Sequence, residues 1–464
     1  FLKLAAGMLD IGLDELVQRD TARRQRRMAM LTGASLAVSM FTGGLAIYAN
    51  TQRIEAVEQR QVAEANERRA ERTTEFLVDT FAVANPETEN ARTITAFSIL
   101  ERGAERIETE LADEPQVQVK LYGALGNIFQ NLGLYPQADD MISAGQNLAP
   151  PGSEDAVRFQ HAAALNAYHE GRLDEALAIS NATLAQVDRR WLDAWSLLGK
   201  LRETRGLVFR EKFELDASLA EYNSAVRLYE IEGAKADRDR AWAENMRGSV
   251  LALKSENVEA EKSFERALAL YEQHSDANNT NYASTLNNLA FLQLNSGNAK
   301  EAARNSKFAI EIFQRVLDEN HPSLATVRMM RGNALFQLNQ DIAAQYMYEK
   351  ALVSLQNTYP NGHYQVGFAH VYLARSLSRQ KKWGRAFRHI ALAKGEYDRS
   401  YKQEHANHGD LEINRAIVLY EAGQEAQAKA ACQTGREILT RTIGLKDPGA
   451  AGLLAECASR GIQL

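Results

Sequence analysis

Small and apolar positions along this chain repeat on a fixed interval. The stretch Asn281 to Ala302 reads as one helix, a tight turn at Gly297 and the start of a second helix. Steps of 42 residues from Ala302 land on Ala176, Ser218, Ala260, Ala344, Ala386 and Ala428, and a step of 38 from Ala176 reaches Ala138. Twelve residues before each lies another small residue: Gly126, Ala164, Gly206, Gly248, Ala290, Gly332, Ala374 and Ala416. Seven after each comes a third: Gly145, Thr183, Ala225, Ala267, Ala309, Ala351, Ala393 and Gly435. A period of roughly 20 to 50 residues marks a solenoid, and small side chains let antiparallel helices approach closely. The pattern predicts an all-α array of about eight helical hairpins over residues 116–445, closed by a capping helix at 446–464.

A different pattern precedes the array. Arg23, Arg24, Arg26 and Arg27 lead into an uncharged run from Met28 to Asn50, long enough at ~1.5 Å per residue to cross a hydrocarbon core of about 30 Å. The run is longer than the apolar core of a secretory signal peptide, the other reading of such a stretch. It predicts a transmembrane helix at 28–50. The arginines place a juxtamembrane segment, residues 1–27, in the cytoplasm and everything beyond Thr51 outside it, in the periplasm of a Gram-negative cell. Ala29, Gly33 and Ala37, with Ser35, Ser39 and Gly43 on a neighbouring face, suit close pairing with the same helix or a partner helix. Residues 51–74, rich in Glu, Gln, Arg and Ala, read as a polar helical stalk without a heptad. Residues 75–115 read as two N-terminal capping helices divided by a break at Asn85-Pro86. Phe1 to Gln18 is amphipathic, either a juxtamembrane helix or the end of a domain upstream of Phe1.

Composition narrows the functional classes. The chain holds 54 basic and 60 acidic residues, net −6, so it has no electrostatic footprint for nucleic acid. No phosphate loop, His-Glu-x-x-His or Gly-x-Ser-x-Gly is present, which predicts neither enzyme activity nor a cofactor. His405 and His408 read as a solvated turn rather than a metal site. Cys432 and Cys457 have no metal-ligand or redox spacing and read as buried thiols. Because Ala458 falls 42 residues after Ala416, Cys457 lies on the capping helix beside the helix of Cys432, and an oxidising compartment would allow a disulfide.

The rows of small residues, with Tyr222, Phe264 and Tyr348 between two of them, resemble the tetratricopeptide (TPR) repeat, and Leu286 to Ala290 (Leu-Asn-Asn-Leu-Ala) is similar to the longer repeats of kinesin light chains. The resemblance implies a right-handed superhelix whose first helices line a concave groove. In that register Asn245, Asn287, Asn288 and Asn333 face inward, with Asn295 a turn further on, as in similar arrays that hydrogen-bond an extended peptide. Trp242, Met246, Met329, Met330, Phe291, Phe336, Phe368 and Tyr372 then give the groove an apolar lining, while Arg158, Lys200, Glu203 and Glu211 dominate the N-terminal end. Residues 95 to 107 resemble the segment before TPR arrays in bacterial membrane-anchored signalling proteins. Leu4 to Asp20 with the arginines resembles the juxtamembrane piece of bacterial proteins joining a Toll/interleukin-1-receptor-like (TIR) domain to a TPR array. The expectation is a non-enzymatic membrane scaffold binding a protein or peptide, an accessory or assembly subunit of a membrane complex. The alternative is the sensor half of a signalling receptor whose cytoplasmic TIR-like domain is absent.

Overall fold

A computed structural model describes residues 13–82, 96–187, 195–274, 279–444 and 448–462. The chain divides into two compact units, Phe1–Leu125 and Gly126–Leu464.

In the first unit, α1 (Leu13–Ala82) is one continuous helix of 70 residues. No glycine or proline occurs between Leu45 and Ala82, so nothing interrupts it at the boundaries expected near residues 50 and 74. Residues 75–82, expected to begin a separate capping helix, instead finish α1. The expected break at Asn85-Pro86 and residues 1–12 lie outside the described residues. α1 contains a stretch long and apolar enough to cross a membrane, with none of it buried. Its last turns pack on α2 (Ala96–Glu110): Phe76 is buried beneath the Arg106 guanidinium, 5.4 Å from the ring centroid. Arg72 pairs with Glu75 at 2.7 Å and with Glu114 at 2.9 Å.

Eight helical hairpins follow: α3 (Pro115–Asn131), which carries the division between the units, with α4 (Tyr135–Leu148); α5 (Glu154–His169) with α6 (Leu173–Gln186); α7 (Trp195–Glu211) with α8 (Leu215–Glu232); α9 (Asp237–Leu253) with α10 (Asn257–Gln273); α11 (Thr280–Asn295) with α12 (Ala299–Val316); α13 (Pro322–Gln337) with α14 (Asp341–Thr358); α15 (Tyr364–Arg379) with α16 (Trp383–Ser400); and α17 (Ala406–Glu421) with α18 (Glu425–Thr442). A final helix, α19 (Pro448–Ser459), ends the described chain. Every regular element among the described residues is helical.

The rows of small residues are where paired helices touch. Ala138, Ala176, Ser218, Ala260, Ala302, Ala344, Ala386 and Ala428 are all fully buried. Bulk is traded across each hairpin. Where the second helix offers a ring, the first offers glycine: a Cβ on Gly206, Gly248 or Gly332 would lie 2.9, 2.7 or 2.4 Å from the rings of Tyr222, Phe264 and Tyr348. Where the second helix carries Ser180, Ser306 or Cys432, the first carries Ala164, Ala290 or Ala416. A fourth row, seven residues before the glycine/alanine row, was not evident from the sequence. It comprises Gly199, Ala241, Ala283, Ala325, Gly367 and Gly409, and Gly199 and Gly367 receive the rings of Tyr229 and Tyr397.

Each hairpin turn puts one residue in the left-handed region: Gly133, Gly171, Phe213, Ser255, Gly297, Asn339, Lys381 and Gly423. Four of these bear a side chain that disfavours that conformation.

Candidate functional site

In four consecutive hairpins the residue three positions before the glycine or alanine of the first-helix row is polar: His161 on α5, Glu203 on α7, Asn245 on α9 and Asn287 on α11. Three of these consecutive side chains hold a buried polar atom without a hydrogen-bond partner: Glu203 Oε1, Asn245 Nδ2 and Asn287 Oδ1. An unmade buried hydrogen bond costs about 1–3 kcal/mol, and these three atoms lie on the first helices of three consecutive hairpins. The asparagine pattern in the sequence led to Asn245 and Asn287. Glu203, already placed at the N-terminal end of the groove, and His161 lie in the same register by the same 42-residue step; His161 was missed because its chemistry differs from the asparagines.

The ten expected groove residues fall on α9, α11, α13 and α15. Asn245 is fully buried and accepts at Oδ1 from Asn288 Nδ2 at 3.0 Å, so it forms the floor and holds Asn288 rather than standing in the groove. Trp242 packs with Tyr222, Met246 and Val250, and Phe291 is 49% exposed at the next repeat. Asn295 ends α11 and is exposed. The remaining four belong to later hairpins. Met330 packs with Ala290, Leu294 and Ala334. Asn333 accepts from the Tyr348 hydroxyl at 2.8 Å within its own hairpin, and Tyr372 stacks on Tyr348 at 5.7 Å. Phe336 lies beneath Arg375 and Arg379, 5.7 and 4.1 Å from its centroid. The arrangement therefore has two parts: an amide centre on α9 and α11, and an aromatic-arginine cluster on α13 and α15.

Burial sets the electrostatics at both ends. Glu203 is pushed up to about 8 by burial and then by Asp239, while burial lowers His161 to about 4 and keeps it neutral. Toward the C-terminal end Asp410 rises to about 6, again through burial, despite the neighbouring Arg375. Arg375 itself donates to Asn414 at 2.8 Å and pairs with Glu456 on α19. A disulfide joins Cys457, the next residue of α19, to Cys432 on α18, and both are fully buried.

Histidines here serve the backbone. His321, His363 and His405, again 42 residues apart, cap α13, α15 and α17 by accepting at Nδ1 from the amides of Ser323, Gln365 and Asn407. His408 accepts from the His405 amide and completes a capping box. Among the described residues no three His, Cys, Asp or Glu side chains come together to hold a metal.

Residues 281–357 match the tetratricopeptide repeat family. The fold is a tetratricopeptide array. A Rap protein complexed with competence and sporulation factor superposes with TM-score 0.50 at 11% identity, over 75% of this chain and 98% of that one. The apo form of RapI gives TM-score 0.46 at 11% identity, over 62% and 99%. A Podosopora anserina putative kinesin light chain with nearly identical TPR-like repeats gives 0.38 at 16%, over 43% and 94%. No curated protein matches the sequence. At 11% identity the likeness to the Rap protein shows the fold alone.

Proposed function

We propose that this chain is a non-enzymatic, membrane-anchored scaffold whose TPR array holds an extended segment of a partner protein along its first helices, as an accessory or assembly subunit of a membrane complex. One observation carries the reading: an amide row on α9 and α11, in which the buried Asn245 holds Asn288 at 3.0 Å and Asn287 keeps an unpartnered Oδ1 beside it. An extended backbone offers donors and acceptors in alternation, which is the chemistry such a row lacks. Half-buried Trp242 and exposed Phe291 beside the amides supply apolar contact.

The uncharged stretch of α1 and the four arginines before it support an anchor with the array outside the cytoplasm. The Cys432–Cys457 disulfide fits an oxidising compartment.

The test replaces Asn287 with Leu in the full chain. Asn287 has no hydrogen-bonded protein partner at Oδ1, whereas changing Asn288 would also strip Asn245. Affinity purification from solubilised membranes, read by mass spectrometry, should recover a stoichiometric partner with the wild type and at least tenfold less with the variant, at unchanged thermal stability. Equal recovery would remove the groove from consideration.

A further inference from the structure

The aromatic-arginine cluster at the C-terminal end of the first helices is closed by α19. This helix packs on α17 and α18 and sends Glu456 past α17 to Arg375 on α15. There the guanidinium donates to Glu456 Oε2 at 3.3 Å and to Asn414 Oδ1 of α17 at 2.8 Å, and Arg460 pairs with the same glutamate at 3.3 Å. The Arg375 side chain is left only 13% exposed, although it shares a face of α15 with Tyr372 and Arg379.

Little else holds α19 in place. Among its described side chains only Ala450 and Cys457 are fully buried, and Leu453 and Leu454 are partly so. A helix of 12 residues is not stable alone, and Gly452 weakens it further at a position where a Cβ would meet nothing within 4 Å. Glu456 remains 32% exposed, and an ion pair open to solvent contributes little. The disulfide to Cys432 on α18 is therefore the principal tie. Cys457 is followed by exposed Ala458 and Ser459, so a slight unwinding of this one helix brings the buried bond within reach of a thiolate.

We propose that the Cys432–Cys457 bond is a redox latch: closed, it keeps α19 over the C-terminal end of the first-helix surface, and reduced, it releases α19 and uncovers Arg375 and Asn414. The proposal rests on the groove reading above and gives that groove a regulated end. The reductant is a dithiol of the thiol–disulfide exchange class. One of its thiolates attacks Cys457 Sγ, forming a mixed disulfide and expelling Cys432 as a thiolate; its second thiol then displaces Cys457 and leaves the donor oxidised. The two released thiolates take up the donor's two protons, and exchange with a disulfide donor recloses the latch.

The test labels the full chain, in neutral detergent, with the arginine reagent phenylglyoxal before and after treatment with dithiothreitol, and reads each arginine by mass spectrometry. Arg375 should react at least about tenfold faster in the reduced chain, the loss of such a cross-link being worth at least that factor. Arg379 pairs with Asp341 at 3.2 Å and donates to Phe336 and Asn339, with no printed tie to α19, and should change less than about twofold. Cys457→Ser should match the reduced wild type without any reductant. Equal protection of Arg375 in both states, or a disulfide that dithiothreitol leaves intact in the folded chain, overturns the latch. So does a matching rise at Arg379, because reduction would then loosen the array rather than free its cap. Labelling needs no partner, so these outcomes are separate from the Asn287→Leu test, whose failure removes the groove without touching the release of α19.

Discussion

Tyr348 and Gly332 show how side-chain size is divided within a hairpin. A methyl on Gly332 would sit 2.4 Å from the Tyr348 ring, and overpacking of this kind costs about 1–3 kcal/mol. Gly332→Ala should therefore lower stability by that amount in urea denaturation, and the loss should largely vanish in a Tyr348→Ser background, which recreates the Ala290/Ser306 pairing of the preceding hairpin. An equal loss in both backgrounds would refute the exchange of bulk. The turns offer the opposite opportunity. Lys381 holds a φ of 59° at a position where Gly297 and Gly423 serve other hairpins. Left-handed backbone costs a side-chain-bearing residue about 1–2 kcal/mol, partly offset by the entropy glycine loses. Lys381→Gly should raise stability by about 0.5–1 kcal/mol, as should Phe213→Gly, since Phe213 is 76% exposed. His370 and His389 meet with their Nδ1 atoms 2.9 Å apart, so one donates and the other accepts, and protonating both would set two donors against each other and break the pair. His370 is 3% exposed, and burial, then His389, lowers it to about 4. His389 is lowered by burial as well. Between pH 6.5 and 4 the unfolded chain thus binds more protons than the folded one, and the pair's contribution, on the order of 2 kcal/mol, is present above pH 6.5 and drains away as pH falls. The urea midpoint of the wild type should drop relative to that of His370→Leu/His389→Leu across this window; parallel curves would show that the pair does not titrate as argued.

Among the elements, second helices were legible from the small-residue register, and turns from the glycines that half of them contain. α1 was legible as a helix but not as one helix. The change from apolar to polar residues near Thr51 changes only the side chains on the helix surface, whereas helix continuity depends on backbone hydrogen bonds that neither composition breaks. α19 depends on its attachments more than on its own packing. Leu453 and Leu454 are only partly buried, and the helix is held by the Cys432–Cys457 disulfide and the Arg375–Glu456 pair. The disulfide closes a loop of 25 residues, worth roughly 3 kcal/mol in chain entropy. Cys457→Ser should therefore raise amide hydrogen exchange across 448–459 by tenfold or more while leaving α13 to α16 protected. Uniform exchange across both regions would show that the capping helix is not a separately stapled element.

On the scale of the molecule, hairpins stack on their neighbours, so stability accumulates from local interfaces while the N-terminal helix exposes its apolar stretch entirely. Met28, Met30, Leu31, Met40, Phe41 and Ile47 all stand exposed, and burying such side chains is worth about 1.5–3 kcal/mol each, burial that the proposed membrane anchoring would supply. The full chain should remain with membranes after alkaline carbonate washing, and a chain beginning at Thr51 should be released; release of both would remove the anchor. The sequence alone determined the hairpin array, its eightfold count and the helix-to-helix seams, because a small residue recurring at a fixed step has one structural use: letting backbones approach. It also marked the asparagine row, but not what the row does. Whether an inward-pointing polar group is free or spoken for depends on residues 15 to 43 positions away on neighbouring helices, so only the folded chain could turn Asn245 into the support of Asn288, tie Asn333 to Tyr348, and leave Asn287 Oδ1 without a partner.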